Sequence, residues 1–448
     1  MDGSPCHLPR RRPRKAPREF SLRESPGVLA TVDPDYPEAE VKAAIARDPE
    51  NGLRGRRFLL VTAPFGPFGK ILARTLEERG AEVSRMIFNA GDLMYWRRPG
   101  GIPFKDGVAR WPARLAELAP QFTDIVLFGE GGAYNQAVMA HRPHMDARVW
   151  VLENGYFRPD WITIERDGVN ASSSLPRTRK AYDQAPREVP VTRPVGKILP
   201  HHVLHISLYH LIQLPGRFLF PRYKAPYTQP PWLQCIGHIR RYFGLAFSSR
   251  KKVDAQALAA KGPFFLACLQ REGDAQLLRY SHFADNTAFL AEVMTSFARH
   301  APRDARLVVK NHPLDPGLVD LARITQVLAV ERGLADRVDF IDGGNLAQLC
   351  RASRGMVVNN SSAALSALGF RTPVKVLGDA FYDFEGLTDQ QSLDSFWTRP
   401  SGPDPDLFAR FRAHVIARSQ VNGNYHEPRA LAPTARGLAD FLERRAWA

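Results

Sequence analysis

The sequence predicts an α/β protein of two Rossmann-like, doubly wound halves facing each other across a cleft. Three observations predict it. Compact apolar runs alternate with amphipathic stretches between about residues 57 and 152, and the alternation restarts between 263 and 376. Residues 194–242 interrupt the rhythm with prolines, aromatics and basic side chains. Strands buried on both faces and separated by helices imply a parallel sheet covered on both sides, so two such series imply two sheets.

The elements follow in order. Phe58-Leu59-Leu60-Val61-Thr62 reads as a fully buried strand. A turn with two glycines, Gly66 and Gly69, leads to a helix over 70–80 with a glycine at its end. Residues 81–88 form a second strand, 110–118 a helix, and 124–128 and 147–152 two more strands. In the second series, strands are expected at 263–269, 306–310, 338–341, 355–358 and 374–376. Helices are expected at 286–299, 317–332, 346–351, 362–368, 406–420 and 434–445. Residues 1–55 are basic and proline-rich, and read as a mobile tail with a short helix at 38–47. The organisation is thus a tail, 1–55, a first Rossmann-like domain, 56–195, a basic and aromatic interdomain region, 196–255, and a second Rossmann-like domain, 256–448.

Composition narrows the class. At 448 residues, 44% hydrophobic and 24% charged, there is apolar material for two cores. No run of about 20 apolar residues suggests a spanning helix. The basic N-terminus lacks the apolar core of a secretory signal, so a cytoplasmic protein is expected. The four cysteines are scattered, which suggests neither zinc nor a disulfide framework. His201, His202, His205 and His210 have no acids or cysteines nearby, so no metal is expected there, and no cofactor. The net charge of +15 attracts anions, whether nucleic acid, anionic lipid or phosphorylated substrates, or serves solubility. No nucleic-acid module accompanies it. Arg217, Arg222, Lys224, Trp232, Arg240 and Arg241 suit lipid headgroups, and equally a plain interdomain helix.

Ligands of open α/β sheets bind beyond the carboxyl ends of the strands, which directs attention to the residues just after each one. The turn at 64–69 is either an anion cradle or a tight strand-to-helix turn. Asp92, Glu130 and Glu153 each place a carboxylate after a strand of the first half, for proton transfer, sugar hydroxyls or merely a turn. Tyr156 and Arg158 cluster with Glu153. In the second half, Gln270-Arg271-Glu272-Gly273-Asp274 offers two acids, with Asp274 the candidate nucleophile or charge stabiliser. Lys310-Asn311-His312-Pro313 ends a strand, and the proline keeps His312 extended. A histidine there can donate to a phosphate oxygen. Asn359-Asn360-Ser361-Ser362 opens a helix, where the serines cap free amides or help hold a phosphate.

These clusters, in this order, resemble the capsule polysaccharide biosynthesis and export family of KpsS type. The matching stretches include FLLVTAPFGPFGKILARTLEERG, LENGYFRPDWITIERDGVN, VVKNHP and VVNNSSAALSALGFRTPVKVLGDAFYD, and the likeness runs from about 57 to 425. Where family members carry two adjacent acids before Gly-Tyr, this chain has Glu153 and Asn154. The resemblance implies a GT-B-like fold and a retaining β-Kdo transferase that uses CMP-Kdo. It implies a lysophosphatidylglycerol acceptor, a short Kdo linker as product, and peripheral contact with the inner membrane of a Gram-negative bacterium, with capsule assembly proteins as possible partners. The first domain would then be the acceptor side and the second would bind the CMP-sugar. On that reading the catalytic candidates are Glu153, Asp274 and Asp92. Substrate contacts would come from His312, Pro313, Asn360, Ser361, Ser362, Lys310 and Gln270, and from Gly66, Gly69, Glu130, Tyr156 and Arg158. Two other readings stand beside it: a transferase using another sugar nucleotide, and a non-catalytic export or assembly partner.

Overall fold

The computed structural model describes residues 52–226, 232–233, 236–237, 240–241, 254–273 and 275–444. The expected tail up to residue 51, its helix at 38–47, and Asp274 lie outside the described residues. Twelve strands are found among the described residues. They are β1 Arg57–Leu60, β2 Glu82–Ile87, β3 Gly101–Pro103, β4 Asp124–Phe128, β5 Arg148–Asn154, β6 Trp161–Arg166, β7 Phe264–Cys268, β8 Arg306–Lys310, β9 Val338–Ile341, β10 Gly355–Val358, β11 Val374–Val376 and β12 Gln420–Asn422.

They build two sheets. The first has the order β12-β6-β5-β4-β1-β2-β3 and the second β11-β10-β7-β8-β9. Every pairing is parallel except β5 with β6 and β6 with β12. All five residues of β7 and all four of β10 are buried, the signature of strands covered on both faces. The two-sheet, GT-B-like α/β architecture expected from the sequence is therefore the observed one.

Local chemistry sets the element boundaries. Asn89, Asp285, Asp320, Asn345 and Asp404 each accept a hydrogen bond from a backbone amide in the first turn of the helix that follows. The Asp320 cap starts its helix at Leu321, four residues later than the expected 317. The last helix, Pro428–Arg444, starts six residues earlier than expected and carries Pro433 inside it. Its Leu438 and Leu442 are buried in one core with Leu72 and Leu76 of the helix Phe68–Glu77. The chain thus returns at its end to the first sheet, through β12 and this helix. Leu53 is fully buried in the same core, so the first half begins ahead of β1.

A buried ion pair fastens that return. Asp124 at the start of β4 is fully buried. It accepts from Arg56 Nε at 2.9 Å and from Trp150 Nε1 at 2.8 Å, and Arg56 Nη1 donates to the carbonyl of Leu442 at 2.7 Å. Burial pushes the Asp124 pKa up, but the hydrogen bonds and charge of Arg56, with Trp150 and Thr123, hold it below the usual value. A depressed carboxylate stabilises the fold above its unfolded pKa and loses that stability as pH falls through the folded one. Asp124→Ala leaves the Arg56 guanidinium buried without its counter-ion, bonded only to the Leu442 carbonyl among the partners given above. It is predicted to cost about 3–5 kcal/mol of unfolding free energy in urea titrations at neutral pH. The deficit is predicted to shrink as wild type is acidified below pH of about 4.

Candidate functional site

Strand register places the second half's polar residues. Cys268 at the end of β7 lies opposite Lys310 of β8 on one side and opposite Val358 of β10 on the other. The three strands therefore end level. The residues that follow, Gln270, His312 and Asn360, leave the sheet side by side, with the outer two about 10 Å apart at the usual strand spacing. Gln270 fastens the row: its Nε2 donates to Asn360 Oδ1 at 2.8 Å, and its Oε1 accepts from Asn359 Nδ2 at 3.0 Å.

His312 has a fixed tautomer. Its Nδ1 accepts from the Leu314 amide at 3.1 Å, so Nε2 carries the proton. Burial, together with the charges of Arg158, Arg271, Lys310 and Arg241, lowers its pKa to about 4. Arg158 belongs to the loop between β5 and β6 of the first half, so cations from both halves surround this imidazole. Burial, then His205 and Arg271, lower the pKa of His202 on the first half's helix Ile198–Gly216. A neutral donor thus sits among cations at the strand ends, an arrangement suited to an anion. Pro313 is exposed, and its carbonyl accepts from Arg241 Nη1 at 3.1 Å. Lys310 is buried, with its Nζ 3.4 Å from the Asn311 carbonyl.

Ser361 Oγ accepts weakly from the Ala363 amide at 3.3 Å, and its carbonyl accepts from the Tyr382 hydroxyl at 2.6 Å. The Ser362 hydroxyl makes no capping bond to the helix Ala363–Gly369 and is half-buried. The bland alternative, simple capping, accounts for Ser361 better than for Ser362.

The halves meet through Glu130. Its carboxylate accepts from the Val169 amide at 2.7 Å, the Ser172 hydroxyl at 3.1 Å and the hydroxyl of Tyr280 at 2.6 Å. Tyr280 comes from the second half, where its carbonyl accepts from Asn360 Nδ2 at 2.9 Å. Glu130 is thus one hydrogen-bonded step from the row at the strand ends. Tyr156 also spans the halves, with its ring 4.4 Å from that of Phe381 and its hydroxyl donating to Glu165 at 2.6 Å. Its role in the structure is an interface anchor, buried away from solvent. Arg158 is exposed, with Nε donating to the Gly155 carbonyl at 3.2 Å.

Three acids differ in what they hold. Asp92 is buried and accepts from Arg85 Nη2, the Phe88 amide, Asn89 Nδ2 and the Tyr209 hydroxyl, at 2.9–3.1 Å. Burial nevertheless raises its pKa. With four protein donors it clamps the helix Ile198–Gly216 to the first half. Glu153 is half-buried beside Gly129, and its Oε1 accepts from the Asn154 amide at 2.9 Å. Glu272, whose neighbour Asp274 was expected to be the nucleophile, is raised in pKa by burial and accepts from Asn286 Nδ2 at 2.6 Å.

The glycines of the turn at 64–69 answer to packing. A β-carbon at Gly66, where φ is +112°, would lie 3.0 Å from the His205 ring, and one at Gly69 would lie 2.9 Å from the Ala63 β-carbon. The basic pair expected to face lipid is also placed otherwise. Arg241 binds Asp342 and the carbonyls of His312 and Pro313, and Arg240 donates to Gly317, so both brace the second half. Tyr280 and Ser172 had no signal in the sequence, since neither follows a strand or joins a motif.

Residues 123–426 match the capsule polysaccharide biosynthesis protein family. The chain belongs to that family. It is 33% identical to the capsule polysaccharide export protein KpsS of Escherichia coli, over 84% of this chain and 98% of that one. It is 34% identical to the capsule polysaccharide modification protein LipB of Neisseria meningitidis serogroup B, over 82% and 91%. Among solved structures, the β-Kdo 2,7 transferase KpsC of Thermosulfurimonas dismutans aligns with 86% of this chain and 99% of its own, at 14% identity and a TM-score of 0.40.

The buried histidines of this family member generate a pH dependence. Burial lowers His312 and His210 to about 4 and His426 to about 3, the last helped by His202 and His205. In the unfolded chain each takes up a proton near pH of about 6.5, while the folded protein keeps it neutral. Stability is therefore predicted to fall as pH drops from about 7 to about 4, read as a declining urea midpoint. His426→Gln, which removes one such group, is predicted to flatten that slope.

Proposed function

We propose that this chain is a capsule polysaccharide glycosyltransferase that transfers Kdo, with retention, from CMP-Kdo to a lysophosphatidylglycerol acceptor at a membrane surface. The observation that carries the reading is the level row of strand ends in the second half, with neutral His312 ringed by cations from both halves. A nucleotide phosphate fits such a place: Nε2–H of His312 and the hydroxyls of Ser361 and Ser362 donate, and Lys310, Arg271 and Arg158 supply charge. Asn360 and Gln270 position the row. The domain division expected from the sequence belongs to this reading, with the end of the chain, from β12 onward, joined to the first half.

Retention through two displacements needs a carboxylate nucleophile. In the first, a carboxylate oxygen of Asp274 or Glu272 bonds to the anomeric carbon as its bond to the CMP phosphate oxygen breaks, and CMP leaves with the electron pair. In the second, the acceptor hydroxyl attacks the same carbon, the carboxylate departs, and the hydroxyl proton passes to Glu153. On the acceptor side, a pocket of about 110 Å3 lies at the ends of β1, β2 and β4. Phe65, Phe88 and Tyr209 give it apolar walls, and Asp92 and His210 give it polar ones. Glu130 is bound by three donors, which suits it to holding the halves in register while Glu153 handles the proton.

Purified protein given CMP-Kdo and lysophosphatidylglycerol in detergent is predicted to release CMP and form a Kdo-lipid. His312→Ala is predicted to lower kcat/KM by about 10- to 100-fold, the loss of one hydrogen bond to a charged group. Absence of CMP release from the wild type, or unchanged kcat/KM in His312→Ala, would contradict the reading.

A further inference from the structure

The helix Ile198–Gly216 is inverted. It has 19 residues and no Asp, Glu, Lys or Arg. Most of its polar side chains turn inward, with Ser207 exposed: the Tyr209 hydroxyl donates to Asp92, His205 Nδ1 lies 3.0 Å from the Tyr95 hydroxyl, and His202 Nδ1 lies 2.9 Å from His426 Nε2. Its aliphatic side chains turn outward, with Leu199, Val203, Leu208, Leu211 and Leu214 between 41% and 63% exposed. At 100° per residue these five fall within half of the helix circumference. Just beyond, Phe218 is 91% exposed. A helix that faced water would show the opposite arrangement, so this surface is built to be covered by something apolar.

The surrounding charge says what covers it. Between Glu188 and Asp254 the chain holds ten Lys and Arg and no Asp or Glu. Arg193 and Lys197 precede the helix and Arg217, Arg222 and Lys224 follow it, all exposed. An aliphatic strip with cations at both ends matches a bilayer interface with anionic headgroups, in which the strip enters the acyl boundary and the cations stay among the phosphates. Among the described residues no helix is long and apolar enough to cross a membrane, and this one is held along its inner face by the first half. It can lie in an interface.

We propose that the outward face of the helix Ile198–Gly216, with Phe218, inserts into the surface of an anionic lipid bilayer and docks the protein there. The proposal rests on the lipid-acceptor reading for its purpose and not for its geometry. The inner face of the same helix supplies Tyr209 and His210 to the first-half pocket, so docking would bring that pocket to the membrane surface.

Vesicle flotation tests it without donor or turnover. The whole protein is predicted to float with vesicles of phosphatidylcholine mixed with phosphatidylglycerol, less so in high salt, and not with phosphatidylcholine alone. Leu211→Glu and Phe218→Glu are each predicted to weaken partitioning at least tenfold with unchanged thermal unfolding. Val330→Glu, at a 61% exposed position on the second half, is predicted to change nothing. CMP release in detergent by Leu211→Glu is predicted to match the wild type, which separates this proposal from the catalytic one. The proposal is overturned if wild type does not float with the anionic vesicles, or if both glutamate variants float as wild type does. It is equally overturned if sedimentation shows a dimer that Leu211→Glu dissolves while vesicles go unbound, since the face would then belong to a second copy.

Discussion

Three parallel strands ending at one level are the constraint on which the rest of this protein depends. Cys268 is paired with Lys310 and Val358 at once, so the chain leaves β7, β8 and β10 abreast. A slip of one residue in either pairing would turn alternate side chains to the opposite face. His312 and Ser361 would then no longer flank Gln270. The fully buried interiors of β7 and β10 oppose such a slip, because it would exchange the residues packed against the helices on each side. Apolar packing deep in the second half thus fixes polar geometry at its rim.

The two halves are coupled by groups that are costly to bury unpaired. Glu130 accepts hydrogen bonds from the hydroxyls of Ser172 and Tyr280, and the Tyr280 carbonyl accepts one from Asn360 Nδ2, so a carboxylate of one half is tied to the strand ends of the other. Burial, then the charges of Arg158 and Arg271, depress His312, and Arg241 beside it is paired with Asp342. The same logic separates the acids. Asp92 and Asp124 are each surrounded by protein donors and hold elements together, whereas Glu153 is half-buried and accepts from the amide of its neighbour Asn154.

Much of the fold was legible because burial on both faces leaves a plain mark. The runs at 58–62, 124–128, 263–269, 306–310 and 355–358 each fell on an observed strand. Short or exposed elements left none. Gly101–Pro103 has three residues and no buried one, and Gln420–Asn422 becomes a strand only because β6 offers it an edge. The site was legible where it followed strands, as with His312 and Asn360. It was opaque where tertiary packing decides, as with Tyr280 and Ser172. Asp92 and the turn glycines Gly66 and Gly69 show the converse: residues with the chemistry for a site, at the right place in the chain, engaged by Tyr209, His205 and Ala63. The inverted helix was hidden too, since its composition reveals its apolarity and only the packing reveals which face points out.

The most direct test of the account is a crystal structure of the protein with CMP. The account predicts the phosphate in the groove between the halves, within hydrogen-bonding distance of His312 Nε2 and of a hydroxyl of Ser361 or Ser362, with Arg158 and Arg271 on either side. CMP bound elsewhere, or a groove that stays empty at saturating CMP, would contradict it.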